Sequence, residues 1–236
     1  MLRIPRGLTG PAPRAGLVLA LLALAAVPAR AQRAPMWPDA LLTRTQALAL
    51  VQGLNAEILA SRSATATLEK WCGDHALAPE PRIIADVVVG EAVAATAEQR
   101  QRLHADSGEV VRYRRVRLRC GERVLSEAEN WYLPARLTPE MNRALETSDT
   151  PYGRVVAPLE PYRRTFAARL LWHPLPDGWE QSRRRAQPCR SSGPLAIPPE
   201  LFEHRALVVA RDGRPIAEVH EVYQRALLAF LPPGPC

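Results

Sequence analysis

A basic hairpin and a proline–glycine turn carry the residues of this chain that could bind a small anion. The guanidinium of Arg115, in a predicted strand, could hold a carboxylate through two parallel, charge-assisted hydrogen bonds. In the turn at 150–153, Pro151 stiffens the backbone and Gly153 permits close approach, so the N–H of Tyr152 could complete the anion site. Together these residues predict a compact site for a small aromatic carboxylate.

The carboxylate of Glu221 is predicted to face an apolar site. Successive strand residues face opposite ways, so Glu221 shares one side of a strand over 215–223 with Val219 and Tyr223. A carboxyl group in apolar surroundings holds its proton more tightly, and it can hydrogen-bond a hydroxyl or act as general acid or base. An ion pair with one of the many arginines is the alternative, and alternation alone does not separate the two.

The same alternation divides the strand that carries Arg115. Val116 and Leu118 lie on one side, and Arg115 and Arg117 lie on the other. A turn at 121–122 then leads to the returning strand, which ends before Pro134.

The remaining elements must position these residues. Helices are predicted over 39–60, 63–71 and 137–145, and an exposed helix or a mobile flap is predicted over 92–104. Strands are predicted over 83–89, 110–120, 125–133, 205–210 and 215–223. Asp212-Gly213 is a strong signal for a hairpin between the last two strands. Residues 173–200, rich in proline and without periodicity, are predicted to be a long surface insertion. The expected fold class is α+β, with a predominantly antiparallel sheet.

The first 31 residues are typical of a secretory signal peptide. A basic, acid-free start precedes an apolar run over 15–27, and Ala29 and Ala31 provide small residues at the cleavage site. This run is shorter than the roughly 20 residues that a spanning helix needs. We expect a single folded domain over 32–236, exported across the inner membrane to the periplasm. An uncleaved anchor and an organelle presequence are the alternatives.

Composition and charge narrow the range of partners. Hydrophobic content of 47% with 23% charged residues indicates a globular protein. The first 31 residues contain four arginines and no acidic residue, so their removal lowers the formal charge from +7 to +3. Such a charge does not predict nucleic-acid binding, and the triplet at 183–185 is interpreted as solvated loop.

Four cysteines lie in the predicted exported part, and an even number favours two disulfides in an oxidising compartment. Three pairings are possible. Our expectation is Cys189 with Cys236, which leaves Cys72 with Cys120. Cys72 and His75 lack a second ligand pair at a suitable spacing, so no metal site is predicted.

Several motifs at fixed spacing resemble the chorismate pyruvate-lyase family over about residues 55–225. They are Arg115 five residues before Cys120, Pro134, the stretch 150–154, Arg164 with Phe166, the stretch 204–206, Gly213 to Pro215, and Glu221 to Tyr223. The resemblance implies an antiparallel sheet of about six strands, with helices and flaps covering an internal ligand pocket.

The resemblance also implies roles for individual residues. Arg115 and the main-chain N–H of Tyr152, beside Gly153, would hold the ring carboxylate, and Glu221 would contact the ring hydroxyl. Arg164 and Arg205 would be candidates for the enolpyruvyl carboxylate. In that family the reaction converts chorismate to 4-hydroxybenzoate and pyruvate without a cofactor, so none is expected.

Two functions follow from the sequence. The first is a lyase that eliminates pyruvate from chorismate or a similar enol ether. Because export would separate the protein from cytosolic chorismate, the alternative is a non-catalytic periplasmic binder of 4-hydroxybenzoate-like acids. Either way the expected partner is a small aromatic or cyclohexadienyl carboxylate. We expect a monomer with no nucleic-acid partner, no metal, and no stable membrane span once the leader is cleaved.

Overall fold

A six-stranded antiparallel sheet with strand order β1-β2-β3-β6-β5-β4 forms the centre of the protein. The computed structural model describes residues 36–181, 189–232 and 234, so the predicted signal peptide lies outside the described residues. The strands are β1 Ile83–Val87, β2 Arg112–Cys120, β3 Arg123–Tyr132, β4 Tyr162–Leu170, β5 Glu200–Val209 and β6 Pro215–Gln224. The helices are α1 Leu41–Ala60, α2 Ala64–Asp74, α3 Ala97–Arg102, α4 Pro139–Thr147 and α5 Tyr152–Val155. The predicted α+β class is confirmed.

Both predicted hairpins are present. Gly121 turns β2 into β3 with φ of +54°, and a Cβ at this position would lie 2.8 Å from the Cβ of Ala78. Only glycine tolerates both the conformation and the contact. In the β5–β6 turn, Gly213 has φ of +87°, and the Asp212 carboxylate accepts a hydrogen bond from the Arg214 N–H.

The two faces of the sheet differ sharply. The helix face packs against α1 and α2 and carries apolar residues such as Val116, Leu118 and Ala128. The outer face carries ion pairs, for example those of Glu127 with Arg115 and Arg117. The α1 residues of this core recur at helical spacing: Ala47, Val51, Leu54 and Ile58. Burial of each large apolar side chain stabilises the fold by roughly 2 kcal/mol.

Two parts of the fold differ from the prediction. The helix predicted over 92–104 is limited to α3, which lies at the outer face where Arg102 forms two hydrogen bonds with the buried Glu218 carboxylate. Strand β4 was not predicted. It lies at the edge of the sheet, so it pairs with β5 alone, and most of its residues are exposed. It therefore lacks the apolar alternation that identifies a strand with one buried face.

The proline-rich segment over 173–200 is anchored to the start of the described chain. Its described residues contain one short 3-10 turn, Trp179–Gln181. Leu195 N–H donates to the Trp37 carbonyl at 2.7 Å, and Arg44 donates to the Pro174 carbonyl at 2.5 Å. Among the described residues, no helix is long and apolar enough to cross a membrane.

A disulfide joins Cys72 in α2 to Cys120 at the end of β2, as expected from the sequence, with a Cα–Cα distance of 6.5 Å. The other expected pairing lies outside the described residues because Cys236 does. The bridge fixes α2 against the sheet over a sequence separation of 48 residues.

The pair of substitutions Cys72→Ala and Cys120→Ala should lower the free energy of unfolding by about 3–4 kcal/mol, because a long loop becomes free in the unfolded chain. Urea unfolding of the oxidised wild type and the double variant measures this. Peptide mapping without reductant should recover the two cysteines in one cross-linked fragment. Equal unfolding midpoints and slopes would show that the bridge does not stabilise the fold.

Candidate functional site

A cavity of about 430 Å³ lies between the helix face of the sheet and the first turn of α2. Its floor is formed mainly by apolar strand residues, with two polar side chains among them. The floor residues are Val116, Leu118, Ala128, Asn130, Val219 and Glu221. Residues 62–66 and the segment 152–161 form the roof, and Arg163 of β4 closes one side.

The roof is built from two helix starts that meet at Gly153. Ser63 caps α2 by accepting a hydrogen bond from the Ala66 N–H at 3.3 Å. A Cβ on Gly153 would lie 3.2 Å from the Thr65 hydroxyl and 3.5 Å from that of Ser63, so glycine allows this approach. We call the hydroxyls of Ser63 and Thr65, with the backbone N–H groups of Tyr152 and Gly153, the roof corner.

An ion pair and a hydrogen bond hold the two parts of the roof together. Arg154 of α5 pairs with Glu69 of α2, and Arg62 donates to the Glu160 carbonyl at 3.3 Å. Both contacts join the α2 side of the roof to the segment 152–161. The roof therefore depends on charged groups at its rim, and its interior surface stays available to a ligand.

Buried Arg114 positions the turn that leads into α5. Its guanidinium donates to the Leu145 carbonyl at 3.1 Å and to the Thr150 carbonyl at 3.4 Å. Burial lowers the pKa of Arg114 below its ordinary value. Because its partners are backbone carbonyls, this arginine orders the chain before Tyr152.

Glu221 is the central polar residue of the cavity. Its side chain is 8% exposed, and its Oε2 lies 2.7 Å from Arg163 Nη2. The same Oε2 accepts a hydrogen bond from the Tyr223 hydroxyl at 3.1 Å. Both contacts use one oxygen, which leaves Oε1 for a ligand.

The Arg163 guanidinium is charged but incompletely hydrogen-bonded. Burial alone would lower the pKa of Arg163, but the negative charge of Glu221 outweighs burial and raises it. Nη2 is close enough to Glu221 for an ion pair, yet neither Nη2 nor Nε forms a well-directed hydrogen bond within the described part of the chain. Both nitrogens are fully buried, and the nearby Glu221 carboxylate compensates the charge of the guanidinium.

Two neighbouring side chains stay neutral. Burial, followed by the charge of Glu221, raises the pKa of Tyr223 well above its ordinary value. Burial lowers the pKa of His204 to about 4. His204 Nε2 lies 2.7 Å from Asn55 Oδ1, so Nε2 carries the proton and donates it to the amide oxygen. Buried His204 Nδ1 has no hydrogen-bond partner among the residues that the structure describes.

The structure brings together half of the predicted site residues. Glu221, Tyr152 and Gly153 all line the cavity. Arg115 does not: it lies on the outer face, 46% exposed, and pairs with Glu127 at 2.8 Å. Val116 and Leu118 line the cavity, and alternation turns the intervening arginines away.

The two arginines predicted for the enolpyruvyl carboxylate also lie away from the cavity. Arg164 is exposed. Arg205 is the strand partner of His220, whose ring contacts Glu129 and Glu203 on the outer face. Arg163, the sequence neighbour of Arg164, is in the cavity wall instead. Neighbouring residues of a strand lie on opposite faces, so Arg163 faces the cavity and Arg164 faces away from it.

Sequence reasoning missed Arg163 and Asn130. Asn130 lies on the same side of β3 as Ala128, and the alternation of side chains along the predicted strand was the signal that could have identified it. Arg163 had no such signal because its strand was not predicted. The described residues contain no cluster of three or more side chains suited to a metal ion.

His204 should make stability depend on pH. The unfolded chain binds a proton below the ordinary pKa of 6.5, but the folded protein does so only near pH 4. The free energy of unfolding should therefore fall as pH is lowered from about 6.5 to about 4. In urea unfolding across this range, His204→Gln should flatten the slope, whereas the exposed control His173→Gln should keep it. An unchanged slope in His204→Gln would contradict a neutral buried imidazole.

The chain is similar to known proteins in structure and in sequence. No protein-family model matches the chain. The fold is similar to PhnF from Mycobacterium smegmatis, at 13% identity over 71% of this chain and 65% of that chain, with a TM-score of 0.44. It is also similar to a GntR-family transcriptional regulator from Bacillus cereus, at 12% identity over 61% of this chain and 92% of that chain, with a TM-score of 0.37.

The sequence relative is much closer. The chain is 48% identical over 198 residues to the uncharacterized protein y4mC of Sinorhizobium fredii, and the match covers 84% of this chain and 83% of that protein. The protein described here therefore belongs to the same family as y4mC.

Proposed function

We propose that the protein binds a small ring carboxylate that also carries a hydroxyl group, of the 4-hydroxybenzoate class. The observation that carries this proposal is the ion pair of Arg163 and Glu221 in the lining of an apolar cavity, where the two protein contacts of Glu221 use Oε2 and leave Oε1 for a ligand. A volume of about 430 Å³ lies within the range of roughly 300–1,000 Å³ of small-molecule sites. The apolar floor suits a planar ring.

The two ends of the cavity suit the two ends of such a ligand. The roof corner offers the hydroxyls of Ser63 and Thr65 at the start of α2, where the helix dipole favours an anion, together with the backbone N–H groups of Tyr152 and Gly153. At the other end Glu221 Oε1 accepts a hydrogen bond from the ring hydroxyl. Arg163 and Tyr223 both contact Glu221 Oε2, so Oε1 is the carboxylate oxygen that neither contact uses.

Export to the periplasm is part of the proposal. The disulfide between Cys72 and Cys120 supports it, because such bridges persist in oxidising compartments. A periplasmic protein meets ligands that arrive from outside the cell, and this favours binding as the primary role.

Arg163→Met should lower affinity for 4-hydroxybenzoate about tenfold or more, because Glu221 loses the partner that holds its carboxylate in place, and its hydrogen bond with the ring hydroxyl, worth about 1.5 kcal/mol, is weakened. Arg115→Met is the matched control, because it makes the same change on the outer face of the sheet and should leave affinity unchanged. Isothermal titration of residues 32–236 measures both, with circular dichroism to verify folding. Loss of binding in the Arg115 variant alone would overturn the assignment.

A lyase acting on chorismate is the second candidate, and the positive charge of Arg163 beside Glu221 favours it. Chorismate has two carboxylates, and its enolpyruvyl ether is on the carbon next to the ring hydroxyl. With the ring carboxylate in the roof corner and the hydroxyl at Glu221, the enolpyruvyl carboxylate would be near Arg163. Elimination breaks the ether bond and removes a ring proton, and Glu221 is the carboxylate placed to assist that proton movement.

Incubation of oxidised residues 32–236 with chorismate distinguishes the two candidates. The lyase predicts pyruvate and 4-hydroxybenzoate in equal amounts above the uncatalysed rate. Glu221→Gln, which keeps the shape but not the base, should then abolish turnover. Saturable binding of 4-hydroxybenzoate without turnover would support the binder and exclude the lyase.

A further inference from the structure

Asn130 is a polar cavity residue to which the proposed function gives no role. It lies in the floor among Val116, Ala128 and Val219, and only 3% of the residue is exposed. A buried amide among apolar side chains is unfavourable unless its groups are hydrogen-bonded. Within the protein, the nitrogen of the Asn130 amide has a hydrogen-bond partner.

The orientation of the Asn130 amide follows from its partner. Asn130 Nδ2 donates to the Arg114 carbonyl at 3.3 Å. A carbonyl can only accept, so the nitrogen of the amide must face Arg114 and the oxygen must face away from it. The group that Asn130 can offer to a ligand is therefore its Oδ1, a hydrogen-bond acceptor.

Asn130 and Glu221 are diagonal neighbours on one face of adjacent strands. Asn130 is the register partner of Val219, and Glu221 is the partner of Ala128. Diagonal positions are roughly 7–8 Å apart at the backbone, within reach of long side chains. Strand order places Asn130 on β3 and Arg163 on β4, on opposite sides of Glu221. The floor thus presents two acceptors, Glu221 Oε1 and Asn130 Oδ1, on neighbouring strands.

We infer that Asn130 determines specificity for a ring carboxylate with two neighbouring hydroxyl groups. This inference rests on the proposed function and narrows its ligand class. One hydroxyl donates to Glu221 and the next donates to Asn130. A ligand with a single hydroxyl leaves the amide oxygen without a donor, and a missing hydrogen bond of this kind corresponds to about tenfold in affinity.

A ligand series on the unmodified protein, residues 32–236 in the oxidised form, is the first test. Isothermal titration should show 3,4-dihydroxybenzoate binding about tenfold more tightly than 4-hydroxybenzoate. The third probe, 4-hydroxy-3-methoxybenzoate, has an oxygen at the same position but cannot donate, so it should not share the gain. Equal affinity for all three would overturn the inference and leave the proposed function standing, whereas failure of all three to bind would overturn both.

Substitution of Asn130 is the second test. Asn130→Leu keeps the branched shape and the number of heavy atoms but has no polar atoms, so it should lose the preference for the dihydroxy ligand over 4-hydroxybenzoate. Ser126→Ala is the matched control, because Ser126 is equally buried on the same strand but does not line the cavity. It should keep the preference. A preference that persists in Asn130→Leu would also overturn the inference. If that variant does not fold, the ligand series alone decides.

Discussion

The buried ion pair between Arg163 and Glu221 is the interaction on which the cavity depends. Removing two charged groups from water costs several kcal/mol for each, and their attraction offsets this only when the geometry is good. Here the pair joins edge strand β4 to central strand β6 across β5. Because each charge compensates the other, an otherwise apolar space beneath α2 and α5 can contain both an anion-binding group and an acceptor.

Much of the fold was predictable because local signals and the hydrophobic pattern agreed. The turn at 121–122 and Asp212-Gly213 predicted two hairpins, and α4, predicted over 137–145, starts at Pro139 with Thr138 as its cap. Strand β4 escaped prediction for a physical reason. It has one neighbour and few buried residues, so tertiary pairing, which no local pattern records, determines its conformation.

A site residue could be predicted from the sequence only where apolar neighbours showed which side of its strand faces the interior. Glu221 was identified because Val219 and Tyr223 shared its side. The same rule separates Arg115 from Val116 and Leu118, and the apolar pair marks the cavity side. Family resemblance favoured the arginine at the expected spacing. Arg163 belongs to β4, which was not predicted, so the sequence could not show that this arginine lies in the cavity wall.

Strand β4 also has features that oppose aggregation through the edge of the sheet. An edge strand exposes unpaired backbone groups, and a flat one can pair with the edge of another molecule. This strand has an irregular register between Thr165 and Ala167, together with a charged side chain, that of Arg163, directed inward. Bulges and inward-pointing charges both discourage a further strand from joining the sheet. Arg163, which places a positive charge in the cavity wall, is therefore also one of the features of β4 that discourage edge-to-edge pairing.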